Sequence, residues 1–345
     1  MIIHTANMIP FDWTNMTQAA WLSPLLPLGT NCTNRHEIGD KFKQDILQYF
    51  DFYGKSRCGP LVDELRGYSF SAVKAIFVGS VPGRHKVSEA KFGWPKLRKV
   101  LSSISCSCPP GAVPKVYAQC SSIATLGVND TWLTPVFFSA LSASATATGG
   151  EQPKFGIIFP TVQEIRDSLN GYSSGSSIHL RTASSAQQKQ LAYVNPLFHH
   201  WSSYDNDAYQ SAGRDRAAPH VKTYIRFSSE PTTRDDASID WALVTSANLS
   251  TQAWGAAETN GTVRICSYEA GVLVHPGLWG DRDVKMKPVF KRDDDGSQVP
   301  AGCTVVPLRM PYGLPVTKYQ KADNVWTAGK SYDEVDWIGQ SWPGY

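Results

Sequence analysis

The sequence has no C-x-x-C pair, no run of about 18 apolar residues, no basic leader followed by an apolar stretch, and no large excess of charge of either sign. Its seven cysteines (Cys32, Cys58, Cys106, Cys108, Cys120, Cys266 and Cys303) are odd in number and lack metal-binding spacing, which argues against a disulfide framework or a zinc site and for a reducing compartment. Without an apolar run or a leader, neither a membrane span nor secretion is indicated, so the N-x-S/T triplets carry no weight as glycan sites. A net charge of +3 is too small to announce nucleic acid, although a basic groove can sit inside a nearly balanced total. No short-period repeat occurs, which excludes a solenoid.

The 345 residues, 42% hydrophobic and 18% charged, suit a soluble globular chain with two cores or one large α/β unit. Ile2 to Asn7 reads as the tail of a strand already in progress, so the chain is expected to be a fragment. Ile38, Phe42, Ile46 and Phe50 recur at helical spacing and predict an amphipathic helix over 37–53, ended by Gly54. Val73 to Val78 predicts a buried strand, with a domain boundary just before it. Phe155 to Phe159 predicts another strand, followed by a capping box from Thr161 to Glu164 and a helix running to Gly171. Alternating steps of this kind favour an α/β sandwich over an all-β fold. The stretches 142–150, 203–219, 228–238 and 292–301 are small or polar and read as loops. His199 and His200 are expected at a helix end, as packing or dipole-compensating groups.

Two patches carry chemistry. In the strand-like run 220–227, His220, Lys222, Tyr224 and Arg226 share one face, and Val221, Thr223, Ile225 and Phe227 the other. An imidazole that exchanges protons near neutral pH would then stand beside an ammonium, the layout of a phosphate site. Asn248 follows a second strand-like run, 241–245, and its amide is placed to donate to a phosphoryl oxygen. Neither signal is specific alone: H-x-K arises readily by chance in a chain with 8 histidines, and an Asn closing a strand is usually a turn residue.

More of the chain then resembles one family. Ile3 to Ile9, Asp12-Trp13, Thr17-Gln18 and Trp21 to Leu25 are similar to the segment after the first active-site motif of the tyrosyl-DNA phosphodiesterases, in the phospholipase D superfamily. Val78 to Arg84 and Gln119 to Gly127 resemble its second-domain opening and substrate-contact turn. Pro219 to Tyr224, Ser246 to Ser250, Ala253 to Gly255 and Ser267 to Glu269 resemble its second motif. Phe227 stands where a general phospholipase D shows an Asp.

The resemblance implies a phospholipase D-like α-β-α-β-α sandwich, with residues 1–72 the end of a partial first domain and 73–345 a complete second domain. It implies a two-step, metal-free and cofactor-free hydrolysis in which one His attacks phosphorus and a second protonates the leaving group, then activates water. His220 matches that second His. Lys222, Asn248 and Asn7 match groups that hold the nonbridging oxygens. Gln18 matches the residue orienting His220, Glu269 its counterpart on the partner His, and Ser121, Ser122 and Ser250 match contacts to the DNA backbone. The implied partners are single-stranded or nicked DNA 3′ ends and a topoisomerase I-derived peptide as leaving group, with no membrane, a monomeric intact protein and residence in the nucleus. Three departures stand out, two of them small. Ser173 replaces a more usual Pro, and the segment around Trp326 and Trp337 fits the pattern poorly. The weightiest departure is that only one H-x-K occurs: the attacking His is expected upstream of Met1, and this chain alone is expected to be inactive. A noncatalytic fragment that binds DNA ends and a lipid phosphodiesterase are the alternatives.

Overall fold

The computed structural model describes residues 1–29, 37–146, 151–202, 208–233, 236–280, 283–293 and 304–345. Parts of the four expected loops, 147–150, 203–207, 234–235 and 294–301, lie outside that set, as do Cys32, His36 and Cys303. Among the described residues, nine strands form one mixed sheet. Its centre is Thr223–Phe227, antiparallel to Lys115–Gln119 on one side and to Ile239–Thr245 on the other. Lys154–Ile158 and Phe198–His199 continue it in parallel beyond Lys115–Gln119. On the other side Glu269–Val274 pairs with the C-terminal half of Ile239–Thr245 and with Ile76–Ser80.

The apolar alternation of the central strand sorts the core into two layers. Tyr224 enters one cluster with Trp254, Phe137, Leu133 and Trp326. Val221, Ile225 and Phe227 enter the opposite cluster with Trp201, Met286 and Tyr312. A third cluster joins Phe42, Ile46 and Tyr49 of the helix Glu37–Asp51 to Phe77 and Val272 at the sheet edge. Both sheet faces are therefore covered, as the α/β sandwich reading expects.

Several local expectations move. The first helix ends at Asp51 and buries Tyr49 in place of Phe50, because the sheet edge it meets is one position round from the i+4 stripe. The strand expected at 73–78 is Ile76–Ser80: its register against Glu269–Leu273 carries it through Gly79, while Val73 closes a turn on Phe70. The H-x-K residues lie just before a regular strand that starts at Thr223. They remain extended, with the His220 amide on the Thr17 carbonyl and the Thr245 amide on the Lys222 carbonyl. His199 sits in a two-residue strand, not at a helix end, paired beside Ile158.

The capping box forms as expected, with Thr161 Oγ1 accepting the Glu164 amide at 3.1 Å and the Glu164 carboxylate accepting the Thr161 amide at 2.7 Å. Its helix, Val162–Arg166, stops well short of Gly171. Ser168 Oγ donates to the carbonyls of Ile165 and Gly171, and a 3₁₀ segment, Gly171–Ser177, follows. Thr161→Ala is expected to destabilise the protein by about 1 kcal/mol, the usual size for a lost N-cap. The check is a lower urea midpoint at unchanged slope.

Candidate active site

The sheet register brings the expected site residues together. Because Thr223–Phe227 runs antiparallel to both neighbours, its entry, His220 to Lys222, lies at the same end as the exits of Lys115–Gln119 and Ile239–Thr245. Those exits lead into Ser121-Ser122 and Ser246 to Asn248. Glu269 begins the next antiparallel strand at that end too. Residues 5–18 fold across the opening: the Thr17 amide and carbonyl bond to Ala218 and His220, and the Thr5 amide to Ala19.

His220 is 5% exposed and is gripped on both nitrogens. Nδ1 lies 3.3 Å from the Gln18 carboxamide and 3.5 Å from Asp12 Oδ2. Gln18 is itself fixed, accepting from Thr5 Oγ1 at 2.8 Å and donating to the Asp12 carbonyl at 3.0 Å. The carboxamide so fixed presents both its oxygen and its nitrogen to Nδ1 at 3.3 Å, and holds the ring in its orientation. Nε2 is left facing the Asn7 carboxamide nitrogen at 3.4 Å. Lys222 Nζ lies 3.1 Å from Nε2 and 3.2 Å from Nδ1, and donates to the His220 carbonyl at 2.8 Å.

Burial, then the neighbouring Lys222 ammonium, pushes the His220 imidazole down to about 4 against the pull of Asp12. Burial pushes Lys222 down to about 7, opposed by the Asp12 and Glu269 carboxylates. Beneath them, burial raises the Cys120 thiol to about 12, so it stays neutral. Near neutral pH His220 is therefore neutral and Lys222 only partly charged, so these residues carry less positive charge than their types imply.

Asn248 is oriented by the backbone. Its side-chain oxygen accepts the amides of Ser121 at 3.1 Å and Ser122 at 2.9 Å, and the Ser121 hydroxyl at 3.2 Å. The carboxamide nitrogen is thereby turned away from these donors. Ser250 is buried, and its hydroxyl accepts the Ala253 amide as the cap of the short helix Thr251–Trp254. Glu269 accepts from Ser246 Oγ at 2.5 Å, and burial raises its carboxyl above the ordinary range.

Asp12, to which the sequence pattern assigns no role, is wholly buried and meets His220, the Asn7 amide at 3.1 Å and the Ser177 hydroxyl at 3.4 Å. A carboxylate between Phe11 and Trp13, six residues before Gln18 in the short helix Pro10–Asn15, was the available signal. Among the described residues, no group of three His, Cys, Asp or Glu side chains is arranged to hold a metal, and no helix is long and apolar enough to cross a membrane.

An α/β sheet with an imidazole, an ammonium and carboxamides gathered at one end fits the phosphodiesterases of the phospholipase D superfamily, and the comparisons with known proteins show that class. The crystal structure of the yeast tyrosyl-DNA phosphodiesterase has the same fold, with TM-score 0.67 at 22% identity over 95% of this chain and 74% of that one. The chain belongs to the tyrosyl-DNA phosphodiesterase family, whose model matches residues 1–320. The probable tyrosyl-DNA phosphodiesterase of Schizosaccharomyces pombe is 30% identical over 99% of this chain and 74% of its own length. Tyrosyl-DNA phosphodiesterase 1 of Drosophila melanogaster is 32% identical over 94% of this chain, which spans about half (53%) of that relative.

Proposed function

We propose that this chain carries the acid–base half of a nuclear, monomeric DNA-repair phosphodiesterase that hydrolyses 3′-phosphotyrosyl links between topoisomerase I peptides and single-stranded or nicked DNA ends. In this reading residues 1–72 close a first phospholipase D-like domain and 73–345 form the second. The observation that carries it is the grip on His220: Gln18 and Asp12 on Nδ1, Asn7 and Lys222 beside Nε2. Burial and Lys222 hold this imidazole neutral on its own; a bound phosphodiester anion, together with Asp12, favours the imidazolium, which then gives its Nε2 proton while Nδ1 faces Gln18 and Asp12.

In the first step a second imidazole attacks phosphorus, forming the phosphohistidine, and the bond to the tyrosyl oxygen breaks as His220 donates to that oxygen. In the second, His220 takes a proton from the attacking water, and the phosphohistidine bond breaks to leave a 3′-phosphate. Lys222, Asn7 and Asn248 hold the nonbridging oxygens throughout, Ser121, Ser122 and Ser250 serve the DNA backbone, and Glu269 serves the attacking imidazole. This sequence holds one H-x-K triplet, so the attacking imidazole is supplied from outside this motif.

Free imidazole added to the chain with 3′-phosphotyrosyl DNA supplies a surrogate nucleophile and separates the possibilities. Tyrosine release that depends on imidazole and on His220 supports the acid–base assignment. DNA binding without release under any condition favours a noncatalytic DNA-end binder. Cleavage of phosphatidylcholine in place of DNA would favour the lipid reading.

A bound phosphodiester should also reprotonate Lys222. With a free value of about 7, the ammonium is largely present below pH 7, and the anion raises its pKa. Binding then takes up a proton above pH 7, so affinity is flat below 7 and falls by up to about tenfold per pH unit as pH rises past it. Fluorescence anisotropy at fixed salt measures this, and Lys222→Met should flatten the slope. A wild-type affinity that does not change between pH 6 and 9 would contradict it.

A further inference from the structure

Beside the Asn248 clamp, a cavity of about 700 Å³ opens between the turn after Gln119 and the start of the helix Ser185–Val194. Its size is in the range of ligand pockets, about 300–1,000 Å³. Ser122, Thr125, His179, Arg181, Gln187 and Gln252 line it. Ser122 links it directly to the phosphate site, because the Ser122 amide bonds to Asn248 Oδ1. His179 lies one strand away, paired in parallel with Ser122.

These side chains are largely uncommitted. Among the described residues, no hydrogen bond engages the Ser122 or Thr125 hydroxyls, the His179 ring, the Arg181 guanidinium or the Gln252 carboxamide, and Gln187 spends only its oxygen, on the Ser184 amide. The adjacent Gln190 shows the contrast: its carboxamide is used at both ends, by the Leu126 amide and the Ala124 carbonyl. In extended backbone His179 and Arg181 share a side, two residues apart, so the sequence His179-Leu180-Arg181 turns an imidazole and a guanidinium the same way. Burial, then Arg181, keeps the His179 imidazole below its ordinary range, so near pH 7 it is neutral and offers both a donor and an acceptor.

A DNA backbone presents acceptors only and is matched by cations. This cavity instead offers one cation and several groups that both donate and accept, the pattern that a base edge presents. We propose that the cavity is a base-selective subsite for the nucleotide bearing the scissile phosphate, in which His179 and Gln252 read the base edge and Arg181 pairs with the next phosphate along the strand. This rests on the reading of the site as a 3′-end phosphodiesterase.

The test is anisotropy binding of four single-stranded oligonucleotides that differ only in the 3′-terminal base, each ending in a 3′-phosphate, to the full chain and to Gln252→Ala, His179→Ala, Arg181→Ala and Asn248→Ala. The expected wild-type result is a spread of about tenfold or more between best and worst base, in line with one to two base-edge contacts. Gln252→Ala and His179→Ala should collapse that spread, whereas Arg181→Ala should weaken all four alike and reduce the salt slope by about one. Equal binding of the four oligonucleotides, or a spread that survives in both Gln252→Ala and His179→Ala, overturns the subsite. If in that case Asn248→Ala still weakens binding, the phosphodiesterase reading stands without it. If no oligonucleotide binds, both fall together.

Discussion

His220→Ala is expected to lower imidazole-supported release of tyrosine from 3′-phosphotyrosyl DNA by roughly 10²–10⁴-fold, the usual worth of a positioned acid–base group. The fold should tolerate the change, because the backbone bonds of His220 run to Thr17 and survive truncation of the ring. Binding should fall little, since Lys222 and Asn248 keep their places through the His220 carbonyl and the Ser121 and Ser122 amides. A loss concentrated in turnover with affinity kept marks a group acting in the transition state. A substrate with a much more acidic phenol as leaving group should shrink the deficit, because it departs without a proton. Unchanged release from the tyrosyl substrate would remove His220 from the chemistry.

Trp326→Ala is expected to be the most destabilising single change, about 3–5 kcal/mol for a large buried aromatic truncated to a methyl. Trp326 is fully buried. Its ring stacks on Tyr172 and Tyr332 at centroid distances of 5.9 and 5.3 Å, and its Nε1 donates to the Gly175 carbonyl at 3.0 Å. A side chain at Gly175 would collide with this ring, which explains a glycine at that point of the 3₁₀ segment. The same segment carries Ser177, whose hydroxyl meets Asp12. Loss of the ring should therefore both lower the urea midpoint and weaken phosphotyrosyl DNA binding. A cost under about 1 kcal/mol would mean that the aromatic stack closes over the gap. The family model matches residues 1–320, so this anchor lies beyond the part that the model covers.

The site was more legible in the sequence than the elements that carry it. His220, Lys222 and Asn248 are candidates by residue type and spacing but become specific only with the family resemblance, which alone supplies Asn7 and Gln18. Element ends were harder. The helix after Thr161 has a clear start in its capping box, but its end is set by Ser168 bonding to Gly171 and by the Asp336 carboxylate on the Tyr172 amide, a partner 164 residues away. Asp12 was overlooked for the same reason: its burial depends on His220 and on Ser177, 165 residues distant. The strand at Ile76–Ser80 was misplaced because its ends follow from its partner, Glu269–Val274, and not from its own apolar run. The cavity beside Ser122 has no sequence signature, since its polar side chains come from four separate places, at 122–125, 179–181, 187 and 252.

The clamp on Asn248 has a further consequence. Two amides and a hydroxyl consume its only acceptor, and the Gln18 oxygen is taken by Thr5 Oγ1, so the groups proposed to hold a phosphate, Asn248, Asn7 and Lys222, have hydrogen-bearing nitrogens to offer it. Such groups are poled against cations. If the chain binds DNA as proposed, a hydrated magnesium ion travelling with the strand would be shed at the threshold, and these dipoles would take over the role of the counterions without being recruited anew.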